Sequence, residues 1–244
     1  MAEVFPILYS NQHLVMKQQQ KSRRHPLVVA TVHTARGLAQ AVARRHGGAD
    51  LVEVRLDSLR RRRGLLDREL PSAPVPWLLT ARHPAEGGAP GLSAGERRAL
   101  LERYLPWAAA IDVELRSAGA WDDLLERSRA ARVRRIVSYH DFSGTPPLAA
   151  LRKVVRRAAS AGADVVKIAT LLRSPDDLCT LLRLQSSTTA VPLATMGMGP
   201  LGKVSRLVLG AAGSRLNYGY LDKPQVPGQW PAVELTQRLQ EVAP

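Results

Sequence analysis

Two residues in this chain combine a reactive side chain with a sequence setting that could tune it. Lys167 lies inside "DVVKIAT" (164–170), between Val-Val and Ile-Ala. An ammonium placed there loses solvation, which lowers its pKa and makes the amine a better nucleophile. Lysine is scarce in this chain: Lys17, Lys21, Lys153, Lys167, Lys203 and Lys223 are six of 35 basic residues. A lysine inside an apolar strand therefore needs a reason. Either it forms a Schiff base with a carbonyl substrate, the favoured reading, or a neighbouring carboxylate satisfies it. His140 sits at the end of "RIVSYHDF" (135–142). Its ordinary pKa near neutrality suits general acid/base work, although a hydrogen-bonded core histidine would look the same. The two are expected at matching levels on adjacent strands, and the pair is a stronger signal than either member.

The segments that must position them follow a rhythm. Short β-branched runs recur at 27–32, 50–57, 77–82, 110–115, 135–142, 164–170, 192–198 and 216–222. Most are followed by a helix-patterned segment, the one near "LRRRRGLLDRE" being the weakest. Ser93 with Glu96 reads as a capping box, and Thr145-Pro146 and Ser174-Pro175 read as N-caps with proline at the first helical position. Eight strands alternating with helices predict a parallel sheet, best closed as a (β/α)8 barrel of the α/β class. An open doubly wound sheet is the competitor. No G-x-G-x-x-G follows the first strand, and "GGAPGLSAGE" (87–96) lacks the Lys-Ser/Thr of a P-loop.

In such a barrel the chemistry lies at the C-terminal strand ends, and here those ends are polar. Glu53, Arg55 and Asp57 close the second run, Arg82 and Glu86 the third, Asp112 and Glu114 the fourth. Glu53 and Arg55, two apart, share a strand face. Charges facing a barrel interior must be paired, so they form either a structural ion-pair network or a pocket for an anionic, hydroxylated small molecule.

Composition narrows the class. The formal net charge is +14, which would suit a nucleic-acid binder. The excess is mostly arginine on predicted helices that also carry leucine or valine at helical spacing. Aromatic residues are only 5%, too few for a base-stacking surface, so solvated outer helix faces are expected and no nucleic-acid partner. No apolar run approaches the about 20 residues of a membrane span. The single cysteine, Cys179, excludes an internal disulfide or a cysteine zinc cage and fits a cytoplasmic setting. Residues 1–25, with "KQQQKSRRH", read as an extension that is loose or caps the domain, and residues 26–244 as a single catalytic barrel.

Seven pieces in order, "EVRLD" (53–57), "TARHPAEGG" (80–88), "IDVEL" (111–115), "SYHDFSGTP" (138–146), "ADVVKIAT" (163–170), "MGMGPLGKVSR" (196–206) and "PGQ" (227–229), resemble the class I, Schiff-base 3-dehydroquinate dehydratases of the shikimate pathway. The resemblance implies a (β/α)8 barrel that converts 3-dehydroquinate to 3-dehydroshikimate and water, without metal or other cofactor, as a homodimer. It implies that Lys167 forms the imine, that His140 moves protons and that Glu86 orients His140. Arg206 would then meet the substrate carboxylate, with Glu53, Arg55 and Arg82 on the ring hydroxyls. Gln229 would sit on a closing loop, where Gln225 replaces the family's usual serine. Asp141 is expected to be structural. The chain stops soon after "VELTQRLQEVA", so a single activity is expected. A Schiff-base aldolase on the same barrel and a basic nucleic-acid-binding barrel are the alternatives. The first would not require the Glu86–His140–Lys167–Arg206 set, and the second rests on charge alone.

Overall fold

The structure, a computed structural model, describes residues 26–72, 75–187 and 189–242. The expected role of residues 1–25 lies outside them. Eight strands form one sheet: β1 (Leu27–Val32), β2 (Leu51–Arg55), β3 (Trp77–Thr80), β4 (Ala108–Glu114), β5 (Arg134–Asp141), β6 (Val165–Leu171), β7 (Leu193–Met198) and β8 (Leu216–Tyr220). All pairings are parallel, in the order β7-β6-β5-β4-β3-β2-β1-β8. The last gap is bridged where Arg215 N donates to Leu193 O at 2.7 Å and Thr195 N donates to Ser214 Oγ at 3.0 Å. The result is a nearly closed (β/α)8 barrel. Its outer helices are α1 (Ala35–Val42), α2 (Arg63–Glu69), α3 (Ala94–Tyr104), α4 (Asp122–Ala130), α5 (Leu148–Ser160), α6 (Pro175–Gln185), α7 (Gly202–Ala211) and α8 (Ala232–Val242).

Two apolar layers hold it together. The larger lies between sheet and helices and includes Val52, Val54, Leu79, Val113, Val137, Val166 and Ile168. These alternate with inward-facing residues, because strand side chains have a period of two. Inside the barrel, apolar residues such as Leu51, Ala110, Ile136 and Val165 occupy the N-terminal level. The next inward positions are polar: Glu53 and Arg55 on β2, Asp112 and Glu114 on β4, Ser138 and His140 on β5, Lys167 on β6. The barrel is thus floored with hydrocarbon and topped with charge. Several outer arginines pair with acids on their own or neighbouring helices, as Arg98 does with Glu102 on the same helix (3.1 Å) and with Asp123, and Arg103 with Asp67 (2.8 Å).

Three local expectations need correction. The helix after β5 does not start at Pro146. Pro147 follows it, and a residue before proline is biased away from the α region, so α5 begins at Leu148. Thr145 instead bonds through Oγ1 to Leu171 O (3.0 Å) and Thr170 Oγ1 (2.8 Å), tying the loop to the end of β6. The second strand ends at Arg55, where a short helical turn, Leu56–Leu59, carries Asp57 out of the sheet. Finally, Lys167 is in register with Ser138, and His140 with Ala169. His140 therefore stands one inward step nearer the barrel mouth than Lys167. The Ser93–Glu96 capping box is present, with Glu96 N donating to Ser93 Oγ (3.2 Å) and Ser93 N donating to Glu96 Oε2 (2.8 Å).

Candidate active site

A cavity of about 210 Å³ opens at the C-terminal mouth of the barrel. All nine side chains singled out in the sequence line it: Glu53, Arg55, Arg82, Glu86, His140, Lys167, Arg206, Gln225 and Gln229. Thr31, Phe142, Met196, Met198 and Tyr218 complete much of the wall.

Lys167 is buried at the cavity base. Its Nζ lies 3.1 Å from Asp112 Oδ2, 3.8 Å from Glu53 Oε1 and 3.9 Å from the centre of the Tyr218 ring. The carboxylate partner of the alternative reading is therefore present, and it coexists with exposure to the cavity. Asp112 is the hub of the surrounding network. It accepts two bonds from Arg82 (2.9 and 2.8 Å) and one from Ser138 Oγ (2.5 Å). Arg82 and Lys167 together hold its carboxyl far below the usual range, despite complete burial. Arg82 also reaches Glu114 (3.1 Å), which in turn pairs with Arg97 (3.0 Å). Glu53 accepts from Thr31 (2.8 Å) and Thr80 (2.8 Å). The network is both structural and open to the cavity on one side. Breaking a buried pair strands the remaining charges, so Asp112→Asn is expected to destabilise the fold by about 3–5 kcal/mol, read as a lower urea midpoint at unchanged m-value.

His140 is held from behind. Glu86 Oε2 meets its Nδ1 at 2.9 Å and accepts from its backbone N at 3.1 Å, while Arg116 Nε forms an ion pair with Glu86 Oε1 at 2.9 Å. With Nδ1–H donated to the carboxylate, Nε2 is the basic nitrogen. Burial, then the charges of Arg82 and Lys167, push the His140 pKa well below its ordinary value, so the ring is neutral at pH 7. Burial raises Glu86 to about 7, opposed by Arg82 and Arg116. Asp141 faces elsewhere. It accepts from Ser143 N (2.8 Å), Gly144 N (3.2 Å) and Tyr139 OH (3.1 Å), closing the turn after β5.

Arg206 reaches the cavity from α7. Its Nε donates to Tyr218 O (2.8 Å) and its Nη1 to the carbonyls of Gly197, Gly202 and Gly228 (2.8–2.9 Å). No carboxylate of the described residues lies within ion-pair distance, and burial alone pushes its pKa down to about 10. It is a buried cation without an anion. The Gly228 bond also anchors the loop over the cavity. A Cβ on Gly202 would lie 2.9 Å from Gly228 Cα, and Gly228 has φ +83°, so the close approach needs glycine on both sides. On that loop Gln229 Oε1 accepts from Gln225 N (2.7 Å), and Gln225 Oε1 accepts from Arg55 Nη1 (2.8 Å). Arg55 is otherwise clamped by Asp57, at 2.9 Å on each carboxylate oxygen.

Sequence reasoning noticed Asp112 as a polar strand-end residue without assigning it to the site, and it missed Tyr218 and Arg116. Asp112 carried a signal, an acid two residues from Glu114 on an apolar strand. Tyr218 hides in an ordinary strand, yet its buried OH has no hydrogen-bond partner. Among the described residues no group of three or more His, Cys, Asp or Glu is placed to hold a metal ion. No helix among them is long and apolar enough to cross a membrane.

Comparison with known proteins places the chain among dehydratases. The sequence model of the Type I 3-dehydroquinase family matches residues 26–243. A 3-dehydroquinate dehydratase of Thermococcus gammatolerans is 37% identical over 219 residues, covering 87% of this chain and 97% of that protein. One of Methanocella arvoryzae is 36% identical over 207 residues, covering 84% and 91%. The crystal structure of 3-dehydroquinate dehydratase from Geobacillus kaustophilus superposes with a TM-score of 0.80 at 30% identity, over 88% of this chain and 90% of that one.

Proposed function

Since the chain belongs to the type I 3-dehydroquinase family, the 3-dehydroquinate dehydratases of the shikimate pathway, we propose that it works through a Schiff base on Lys167, with His140 as the acid/base. The observation that carries this reading is the pairing of a buried, cavity-facing lysine with a histidine held neutral one step above it.

The order of events follows from the charges. Neutral His140 receives a proton as the Lys167 amine attacks the substrate ketone. The ring passes that proton, and then the second one the nitrogen gives up, to the former ketone oxygen, which leaves the resulting carbinolamine as water and gives a protonated imine with His140 neutral again. Asp112 and the Tyr218 ring, which surround Nζ with negative potential, stabilise that cation as they stabilised the ammonium. The imine cation draws electrons from the adjacent C–H, and His140 Nε2 removes this proton. The protonated imidazole then delivers it to the departing hydroxyl, which leaves as water, and hydrolysis of the conjugated imine frees Lys167. The substrate carboxylate supplies the anion that Arg206 lacks, meeting its guanidinium in a charge-assisted bond. Arg55, Glu53 and Arg82 face the ring hydroxyls, and Gln225 and Gln229 keep the loop over them. Following the conjugated enone product by its ultraviolet absorbance tests the activity, and no absorbance rise with 3-dehydroquinate would end this reading.

Arg116 and Tyr218 give two sharper tests. Glu86 must be ionised to accept Nδ1–H. When protonated it donates instead, and the tautomer flips so that Nε2 carries hydrogen. Arg116 lowers the Glu86 pKa, so Arg116→Ala raises it further. The acid limb of the kcat/KM profile is expected to move to higher pH, and an unmoved limb would remove Arg116 from the proton balance. For Tyr218→Phe, the lost hydroxyl breaks no bond within the protein. Stability should hold while KM rises about tenfold, one hydrogen bond to substrate; an unchanged KM would contradict that contact.

A cytoplasmic setting, a homodimer and no nucleic-acid partner complete the reading. The assembly is read by light scattering.

A further inference from the structure

The opposite end of the barrel carries a second cavity, of about 640 Å³, that the dehydration does not use. Its wall is basic. Arg132 lies in the turn before β5, Arg134 begins β5 and Arg215 stands just before β8. Arg135 also faces it but is already paired with Asp164, at 3.1 Å from both Nε and Nη2. Arg129 is paired with Glu126 at 2.7 Å. Among the described residues Asp164 is the cavity's one carboxylate, and no hydrogen bond or ion pair is made by the side chains of Arg132, Arg134 or Arg215. Three guanidiniums thus line one cavity with no carboxylate in contact, Asp164 acting on Arg134 only from a distance.

Their arrangement is costly. Arg134 and Arg215 are half-buried against the apolar barrel floor of Leu27, Leu51, Ile136 and Leu216. Burial, then the charge of Arg215, disfavour the Arg134 cation and outweigh the opposing pull of Asp164. Like charges held together over hydrocarbon favour whatever neutralises them. Residues 1–25 are a poor source of that charge, since they contain one acid, Glu3, against Lys17, Lys21, Arg23 and Arg24.

We propose that the N-terminal mouth of the barrel is a second binding site, for a compact polyanion of the diphosphate class. Planar guanidinium forks match phosphate oxygens bidentately. Three of them in a cavity of small-molecule size suit a ligand with several closely spaced negative charges better than a monocarboxylate. Such a site is separate from the dehydratase pocket: the two cavities share no lining residue.

Calorimetric titration of the full chain with sodium pyrophosphate tests this, with the Arg134→Gln/Arg215→Gln double variant beside it. Saturable binding is expected, weakened at least about tenfold in the double variant, while kcat/KM for the dehydratase reaction stays unchanged. Equal affinity in the variant, or no saturable binding up to about 10 mM, would overturn the proposal. Retained turnover certifies that the variant is folded. Should it fail to fold, hydrogen exchange on the unaltered chain decides. Protection of the segments at 132–135 and 213–216 by pyrophosphate supports the site, and protection confined to the Arg206 end refutes it.

Discussion

Lys167→Ala is expected to lower kcat/KM by about four orders of magnitude or more, the scale of losing the nucleophile from a set that acts as a unit. The reason is specific to this site. Without Nζ there is no imine, and nothing else in the cavity can draw electrons from the C–H that must be broken. The remaining cations, Arg55, Arg82 and Arg206, are fixed by carboxylates or backbone carbonyls and form no covalent bond to the ketone. The barrel should survive the change, because Asp112 keeps both bonds from Arg82 and the one from Ser138. A cooperative thermal transition together with lost turnover would separate chemistry from folding. Substantial residual activity would mean that the dehydration does not pass through this lysine.

The second large effect is expected at His140. His140→Ala should reduce kcat by about 10²–10⁴-fold, the usual contribution of a positioned acid/base. It should also leave a covalent complex with substrate able to form slowly, since Lys167 and its Asp112 partner are untouched. The variant therefore differs in kind from Lys167→Ala: it accumulates an intermediate rather than failing to make one. Added imidazole should restore part of the rate, because removing the ring opens space beside Glu86 without disturbing the backbone N–H bond to that carboxylate. Full turnover without the ring would take histidine out of the mechanism.

The barrel was readable in the chain because β-branched runs at regular spacing are how a doubly covered parallel sheet must be written. The site was partly readable for a related reason: beyond their first residues, the runs are interrupted by charges mainly toward the mouth. Lys167 and His140 stood out as single residues. Their relative height did not, because it depends on the stagger between β5 and β6, a property of closure and not of either strand. Asp112 lies 55 residues from Lys167 in sequence, so spacing within one strand could not reveal that they pair. The start of α5 was misplaced because two adjacent prolines offer two helix starts, and the second excludes the first. Arg116 follows β4 in a short helical turn and is half-exposed, indistinguishable by type from the many arginines on the outer helices. Gln225 shows the reverse case. Its departure from the resembling family was visible at once, but only the fold shows where its length goes, across the mouth to Arg55.

The central claim is that a covalent imine forms on Lys167, and borohydride trapping tests it most directly. Incubation with 3-dehydroquinate and sodium borohydride, followed by proteolysis and mass spectrometry, should place one reduced ligand on the peptide that contains Lys167 and leave the protein inactive. An unmodified Lys167 peptide from protein that is turning over substrate, or an adduct on another lysine, would contradict it.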